Sequence, residues 1–160
     1  MKATIVFDSI KAAKEELRKE YEAQKELEKR KRLASLKKLK KKYDDISGIT
    51  WYKNPYFTHY TNTNLTSLYI GHNGDRKYLR LKMSFEGEDW IFFENAYLSY
   101  NGNTWTIPFD SYEEKKTDNS GGSVWEWIDV NVPDDKLDFL WELSQSKKAQ
   151  MRLSGKYSET

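Results

Sequence analysis

The residues best equipped for chemistry in this chain are its carboxylates. Glu126 and Asp129 flank a tryptophan-rich run, and Glu86, Glu88 and Asp89 cluster in a turn. Glycoside hydrolysis needs two carboxylates roughly 5–10 Å apart across a sugar. A strand and a turn could supply them, giving a hydrolase built on Glu126 or Glu88. Two-residue alternation puts Glu126 on the strand face opposite Trp125 and Trp127, so the plainer reading is a solvated strand face beside an acidic turn. The chain has no cysteine, which excludes a thiol nucleophile, disulfides and thiolate metal sites. His59 and His72 stand apart without ligand spacing, and His72 falls in a turn. Asp44-Asp45 and Asp134-Asp135 read as linker and capping residues at helix ends rather than as metal ligands. Gly121-Gly122 precedes neither a Lys-Ser/Thr pair nor a helix, so it is no phosphate loop. The expectation is a non-enzymatic protein with no metal and no cofactor.

Two groups of residues suit binding instead. Arg30, Lys31 and Arg32, with Lys37, Lys38, Lys40, Lys41 and Lys42, gather eight cations in thirteen positions. Such density attracts phosphates, because neutralising them releases condensed counterions. Its plainer reading is a solvated spacer helix. Trp and Phe are absent from residues 9–43 and the apolar stripe is thin, which favours nucleic acid or a nucleoprotein over a membrane surface. The second group is aromatic. Trp51, Tyr52, Tyr56 and Tyr60, with Phe57 among them, crowd one segment beside Asn and Thr. Exposed aromatic faces stack on sugar rings or nucleobases. The plainer reading has them filling the core of a domain poor in aliphatics. For Trp125 and Trp127, which share a strand face, core packing is the stronger expectation.

The elements that must position these groups divide near residue 43. Every Trp, Pro and Gly lies from Gly48 onward. Residues 11–43 hold 14 Lys/Arg against 6 Glu, whereas residues 44–160 hold 12 Lys/Arg against 18 Asp/Glu. The formal total of +2 therefore hides a basic part and an acidic part, an asymmetry that points to charged partners. Residues 3–7 read as a short strand or loose arm, and Asp8 or Ser9 as the helix cap. Residues 9–43 then read as one long helix of Ala, Leu, Glu, Lys and Arg, with opposite charges four apart at Lys11/Glu15, Glu15/Lys19, Glu26/Arg30 and Glu28/Arg32.

Beyond Gly48 the texture is of short strands and turns. Asn73-Gly74 signals a hairpin, and residues 77–85 alternate with the period of a half-buried strand. Residues 90–93, 96–100, 104–109, 124–130 and 149–153 also read as strands, and 118–123 as a flexible loop. A late helix after Pro133 turns Leu137, Leu140 and Trp141 inward. The fold class is α+β: an N-terminal arm and long basic helix over residues 1–43, then a mainly antiparallel β-sandwich-like domain over residues 44–160 with one late helix.

The segments Gly48-Ile49-Thr50-Trp51-Tyr52, Tyr69-Ile70-Gly71, Leu79-Arg80-Leu81, Asp89-Trp90-Ile91-Phe92, Val124-Trp125-Glu126-Trp127, Ser146-Lys147-Lys148-Ala149, Met151-Arg152 and Gly155-Lys156-Tyr157 together resemble an uncharacterised β-rich domain of Gram-positive bacteria and their phages. The resemblance covers about residues 44–160. It implies a fold and no activity, and carries no catalytic residues. Such domains often follow a membrane anchor, a lipoprotein leader or a helical linker. Here the apolar run at residues 3–7 is too short for a signal peptide, and no stretch approaches the ~18 apolar residues of a membrane span. The resemblance thus implies a cytoplasmic phage or mobile-element protein. The expected function is that of an interaction protein inhibiting a host defence nucleoprotein, of the anti-CRISPR kind. It would act through the basic helix, with direct contact to DNA or RNA, and through the acidic domain. The alternative is a β-sandwich that binds cell-wall glycan or a surface protein and is tethered by a helical spacer.

Overall fold

The computed structural model describes residues 2–57 and 59–155, with side chains from Lys11 onward. The chain is α+β and divides into two compact units, Met1–Lys40 and Lys41–Thr160. Lys156 and Tyr157, the last residues of the resemblance, lie outside the described residues.

The first unit is helix α1, Lys2–Lys37. The helix begins seven residues earlier than the caps suggested, so residues 3–7 are neither strand nor arm, and Asp8 and Ser9 are interior. Ile5 and Val6 lower helix propensity only slightly, and no breaker separates them from the run that follows. Arg18 pairs with Glu15 at 2.9 Å, Arg30 with Glu26 at 3.4 Å and Arg32 with Glu28 at 3.8 Å. Glu15 thus takes Arg18 in place of Lys11 or Lys19. Residues 11–35 are exposed throughout.

The helix also ends six residues before Tyr43. Lys38 and Leu39 donate back to the carbonyls of Ser35 and Leu36, each at 3.1 Å. Lys40–Asp44 is strand β1. Continuing the helix would stack Lys37 on Lys41 and Lys38 on Lys42, like charges at four-residue spacing; as a strand the segment pairs with β2, Ile49–Lys53. Asp44 is a turn residue rather than a linker. Its carboxylate accepts from the amides of Ile46 (3.1 Å) and Ser47 (3.4 Å) and from Ser47 Oγ (2.7 Å). The Ser47 bonds, first the hydroxyl's and then the amide's, hold its pKa below the usual value.

The second unit is two antiparallel sheets. The larger follows the order β1-β2-β3-β4-β8-β7 and the smaller β6-β5-β9. Here β3 is Leu65–Asn73, β4 Arg76–Gly87, β5 Phe93–Tyr100, β6 Asn103–Ile107, β7 Lys116–Ser120, β8 Ser123–Asn131 and β9 Ala149–Gly155. The β3–β4 turn is Gly74-Asp75, since Asn73 pairs with Arg76. His72 therefore stands on β3 and not in the turn. The expected strand at residues 90–93 begins only at Phe93. Polar residues 116–120, read in part as a loop, form β7 because Gly121 (φ 62°) and Gly122 (φ 90°) close a tight hairpin onto β8.

Leu81, Met83, Ile128 and Val130 of the larger sheet pack with Phe93, Ala96, Leu98, Trp105, Ile107 and Leu153 of the smaller. Helix α2, Leu137–Gln145, covers one end through Leu140. Its inward residues are Phe139, Leu140 and Leu143, whereas Leu137 and Trp141 are exposed. Pro133 and Lys136 hold the cap positions of the 3-10 turn Asp134–Lys136 and of α2, so Asp134 and Asp135 are not caps.

One polar side chain ties the sheets together. Glu126 is fully buried on the inner face of β8, which corrects the solvated-face reading. It accepts from the amides of Ile91 (2.9 Å), Phe92 (2.7 Å) and Phe93 (3.1 Å). Phe92 adopts a left-handed φ of 48°, which turns successive amides toward one anion, as in a backbone nest. Lys115 lies 3.6 Å from the carboxylate and donates to the Phe93 carbonyl at 3.0 Å.

Removing one partner of a buried ion pair costs about 3–5 kcal/mol. Glu126→Ala should lower stability by that order in urea unfolding, and adding Lys115→Met should restore part of the loss. A loss below about 1 kcal/mol would show that the carboxylate is not the tie.

Candidate functional site

The outer face of the larger sheet carries a polar network, and the segment before β3, described at residues 54–57 and 59–64, is anchored to it. On the sheet, Arg80 Nε donates to Asp129 Oδ1 at 2.9 Å, and Arg80 also reaches Asn131 at 3.0 Å. Tyr69 donates its hydroxyl to the other Asp129 oxygen. Burial, then the Asp129 hydrogen bond, raises the Tyr69 pKa well above its usual value. Burial opposes the charge on Arg80, but Asp129 outweighs it and the net shift is upward.

Beside this network the loop is fixed at several points. Buried Lys82 donates to the His59 carbonyl at 2.9 Å, and buried Ser84 to the Thr63 carbonyl at 2.6 Å. Asn64 bonds the amide and the carbonyl of Glu86 at 2.9 and 3.0 Å, as a paired strand would. Asn54 turns the chain by accepting from the Tyr56 amide at 2.9 Å. The His59 ring meets Tyr69 edge-on at 6.2 Å, with Nδ1 3.3 Å from Ser67 Oγ. Burial first, then Lys53, lowers the His59 pKa; burial likewise lowers that of Lys82, against the pull of Asp129.

A loop fixed this way holds aromatic rings in water. Tyr56 is 90% exposed, Tyr60 67% and Phe57 52%. Phe57 is the aromatic of this segment that sequence alone does not single out as a ligand residue, because residue type carries no measure of exposure. It also lines, with Leu68, Leu98, Leu140 and Leu143, an apolar cleft of about 270 Å³.

The four expected ligand residues do not form one cluster. Trp51 lies on the outer face, its ring tilted against Tyr69 at 5.4 Å and seated over Gly71, where a Cβ would fall 2.5 Å away. Tyr52, its neighbour on β2, pairs with Ile70 and points to the opposite face. Trp51 and Tyr52 are half-buried; of the four, Tyr56 and Tyr60 are presented to solvent. Trp125 (buried) and Trp127 (half-buried) lie on the outer face with Ser84 and Glu86, not between the sheets.

The eight expected cations are likewise divided. Arg30, Lys31, Arg32 and Lys37 are on α1, Lys38 in the turn, and Lys40, Lys41 and Lys42 on β1. All are exposed. At about 100° per residue, the run from Lys29 to Arg32 girdles the helix and marks no single face. On β1, Lys40 and Lys42 point one way and Lys41 the other. Among the described residues Arg30 and Arg32 have carboxylate partners within 4 Å, while Lys31, Lys37, Lys38, Lys40, Lys41 and Lys42 have none.

The carboxylates that could have served catalysis are dispersed. Glu126 is enclosed between the sheets, Asp129 is bound by Arg80 and Tyr69, and Glu88 and Asp89 are exposed on the β4–β5 connection. Among the described residues no group of three or more His, Asp or Glu is placed to hold a metal ion, and no helix is long and apolar enough to cross a membrane. Comparison with protein-family models, curated proteins and solved structures finds no match.

The packed and presented rings should respond differently to truncation. Trp51→Ala should cost about 3 kcal/mol, whereas Tyr56→Ala and Tyr60→Ala should each stay within about 0.5 kcal/mol. Thermal and urea unfolding of the three variants compares them directly.

Proposed function

We propose that this is a non-enzymatic binding protein whose β-sandwich recognises a flat-faced ligand, a glycan, through Tyr56, Phe57 and Tyr60. The observation that carries the reading is the anchoring of that loop. Buried Lys82 and Ser84, together with Asn64, hold three aromatic side chains out in water. Left free, apolar rings would fold back onto the surface and hide area worth ~25 cal/mol per Å². A rigid platform lowers the ordering cost of binding, and ring faces suit the C–H faces of sugars. The cleft beside Phe57 offers room for an acetyl or methyl group.

Titration with soluble cell-wall glycan fragments, followed by calorimetry and tryptophan fluorescence, tests this. Tyr56→Ala with Tyr60→Ala should weaken binding at least tenfold while leaving the unfolding curve unchanged. Flat titrations across the fragments would remove the reading.

A second reading has its own support. Six exposed lysines in residues 31–42 have no carboxylate within 4 Å among the described residues, which leaves their charge open to phosphates. An inhibitor of a nucleoprotein, of the anti-CRISPR kind, would use them in this way. DNA and RNA binding by the full chain should then fall steeply between about 50 and 200 mM salt. The variant carrying Lys31→Ala, Lys37→Ala, Lys41→Ala and Lys42→Ala should show a shallower salt slope, by roughly one unit for each phosphate no longer neutralised. An unchanged slope would make these lysines a solvated surface only.

A further inference from the structure

We infer that His59 is a proton-operated latch that seats the aromatic loop when neutral and releases it when protonated. The inference rests for its functional meaning on the binding role given to that loop, though its physics is independent of the ligand.

The seat has no place for a fourth cation. From β2, Lys53 extends its ammonium over the Tyr69 ring, 5.0 Å from the centroid. From β4, Lys82, 7% exposed, sends its ammonium to the His59 carbonyl, and Arg80 lies beside Tyr69. From β3 come the Ser67 hydroxyl and the edge of Tyr69, both neutral. From β8 comes Asp129, the one carboxylate among these described groups, and both of its oxygens are taken by Arg80 and Tyr69. On the loop itself the Asn54 backbone favours the charged ring, but less than burial and Lys53 oppose it, and ring Nε2 is buried with no hydrogen-bond partner among the described residues. An imidazolium here would meet two ammonium groups and a guanidinium against one carboxylate already engaged.

The proton therefore favours the released loop, where His59 regains water. Its ordinary pKa is about 6.5, and burial with Lys53 and Lys82 holds the seated ring below that. The released form binds more protons, so seating is complete above about pH 6.5 and is lost as pH falls from there toward the seated pKa. For one proton, the ratio of released to seated loop rises up to about tenfold per pH unit in that window. Because His59 shares its backbone with the chief anchor, the Lys82 bond to its carbonyl, ring ejection and loop release are one event.

NMR of the full chain from pH 8 to pH 5 tests this through the His59 ring shifts and amide exchange at Tyr56, Phe57 and Tyr60. The expected result is a His59 midpoint below about 6.5, with loop protection factors (the intrinsic base-catalysed rate divided by observed exchange at each pH) falling by up to about tenfold per unit below pH 6.5, while Leu81 and Met83 stay protected. His59→Gln, which cannot charge, should make the loop protection factors insensitive to pH across this range. Lys53→Met, removing one opposing cation, should raise the midpoint. A midpoint at or above about 6.5, or equal pH dependence in His59→Gln, would overturn the latch. Glycan titrations at pH 7.5 stay separate: flat titrations alongside pH-coupled exchange would remove the glycan reading and leave the latch standing.

Discussion

A carboxylate taken out of water costs several kcal/mol unless nearly all of its lone pairs find donors. Glu126 meets that demand with three consecutive amides and an ammonium, and the requirement spreads through the sandwich. The amides converge only because Phe92 turns left-handed. That turn brings the Ile91 carbonyl so near β9 that a Cβ at Gly155 would fall 1.9 Å from it, which makes a glycine obligatory there. Lys115, half-buried between β6 and β7, supplies the counter-charge and caps the Phe93 carbonyl. Residues far apart in sequence are thus fixed by one buried charge, and through it the larger sheet holds the start of the smaller.

The larger sheet treats its two faces differently. Its inner face packs mainly apolar side chains around Glu126, and draws its cohesion from area removed from water. Its outer face is a layer of Tyr69, Arg80, Lys82, Ser84 and Asp129, each with a named partner. A polar layer of this kind specifies where a covering segment must sit, because misplacement leaves buried donors unpaired. The aromatic segment is therefore located by hydrogen bonds and not by burial of its own rings. This is how a loop with three largely exposed aromatics can hold a fixed path.

The fold class was legible because its signals are local. A run without Gly or Pro and rich in Ala, Leu, Glu and Lys favours helix locally, as it does here through Lys37, and two-residue alternation marked β4 and β8. What failed was non-local. Lys40, Lys41 and Lys42 have good helix propensity, and only pairing with β2 makes them a strand. Residues 116–120 are poor strand formers that β8 recruits through a glycine turn. Alternation separated Glu126 from Trp125 and Trp127 but the two faces were assigned the wrong way round, since the donors that let a carboxylate be buried lie more than thirty residues away. For the site, residue types were informative and orientation was not. Trp51 and Tyr52 are adjacent and aromatic, yet the pleat sends them to opposite faces, while Phe57, which its type does not mark as a ligand residue, is half in water.

Strand β1 ends the larger sheet with three successive lysines, and β7 ends it with Lys-Thr-Asp-Asn-Ser. An open sheet edge offers unpaired amides and carbonyls to any extended chain, which is the first step toward edge-to-edge aggregation. A second copy adding to β1 in antiparallel register would bring lysine against lysine, and the repulsion between them blocks the step. Part of the cationic run thus opposes the pairing of a second copy at this edge of the sheet.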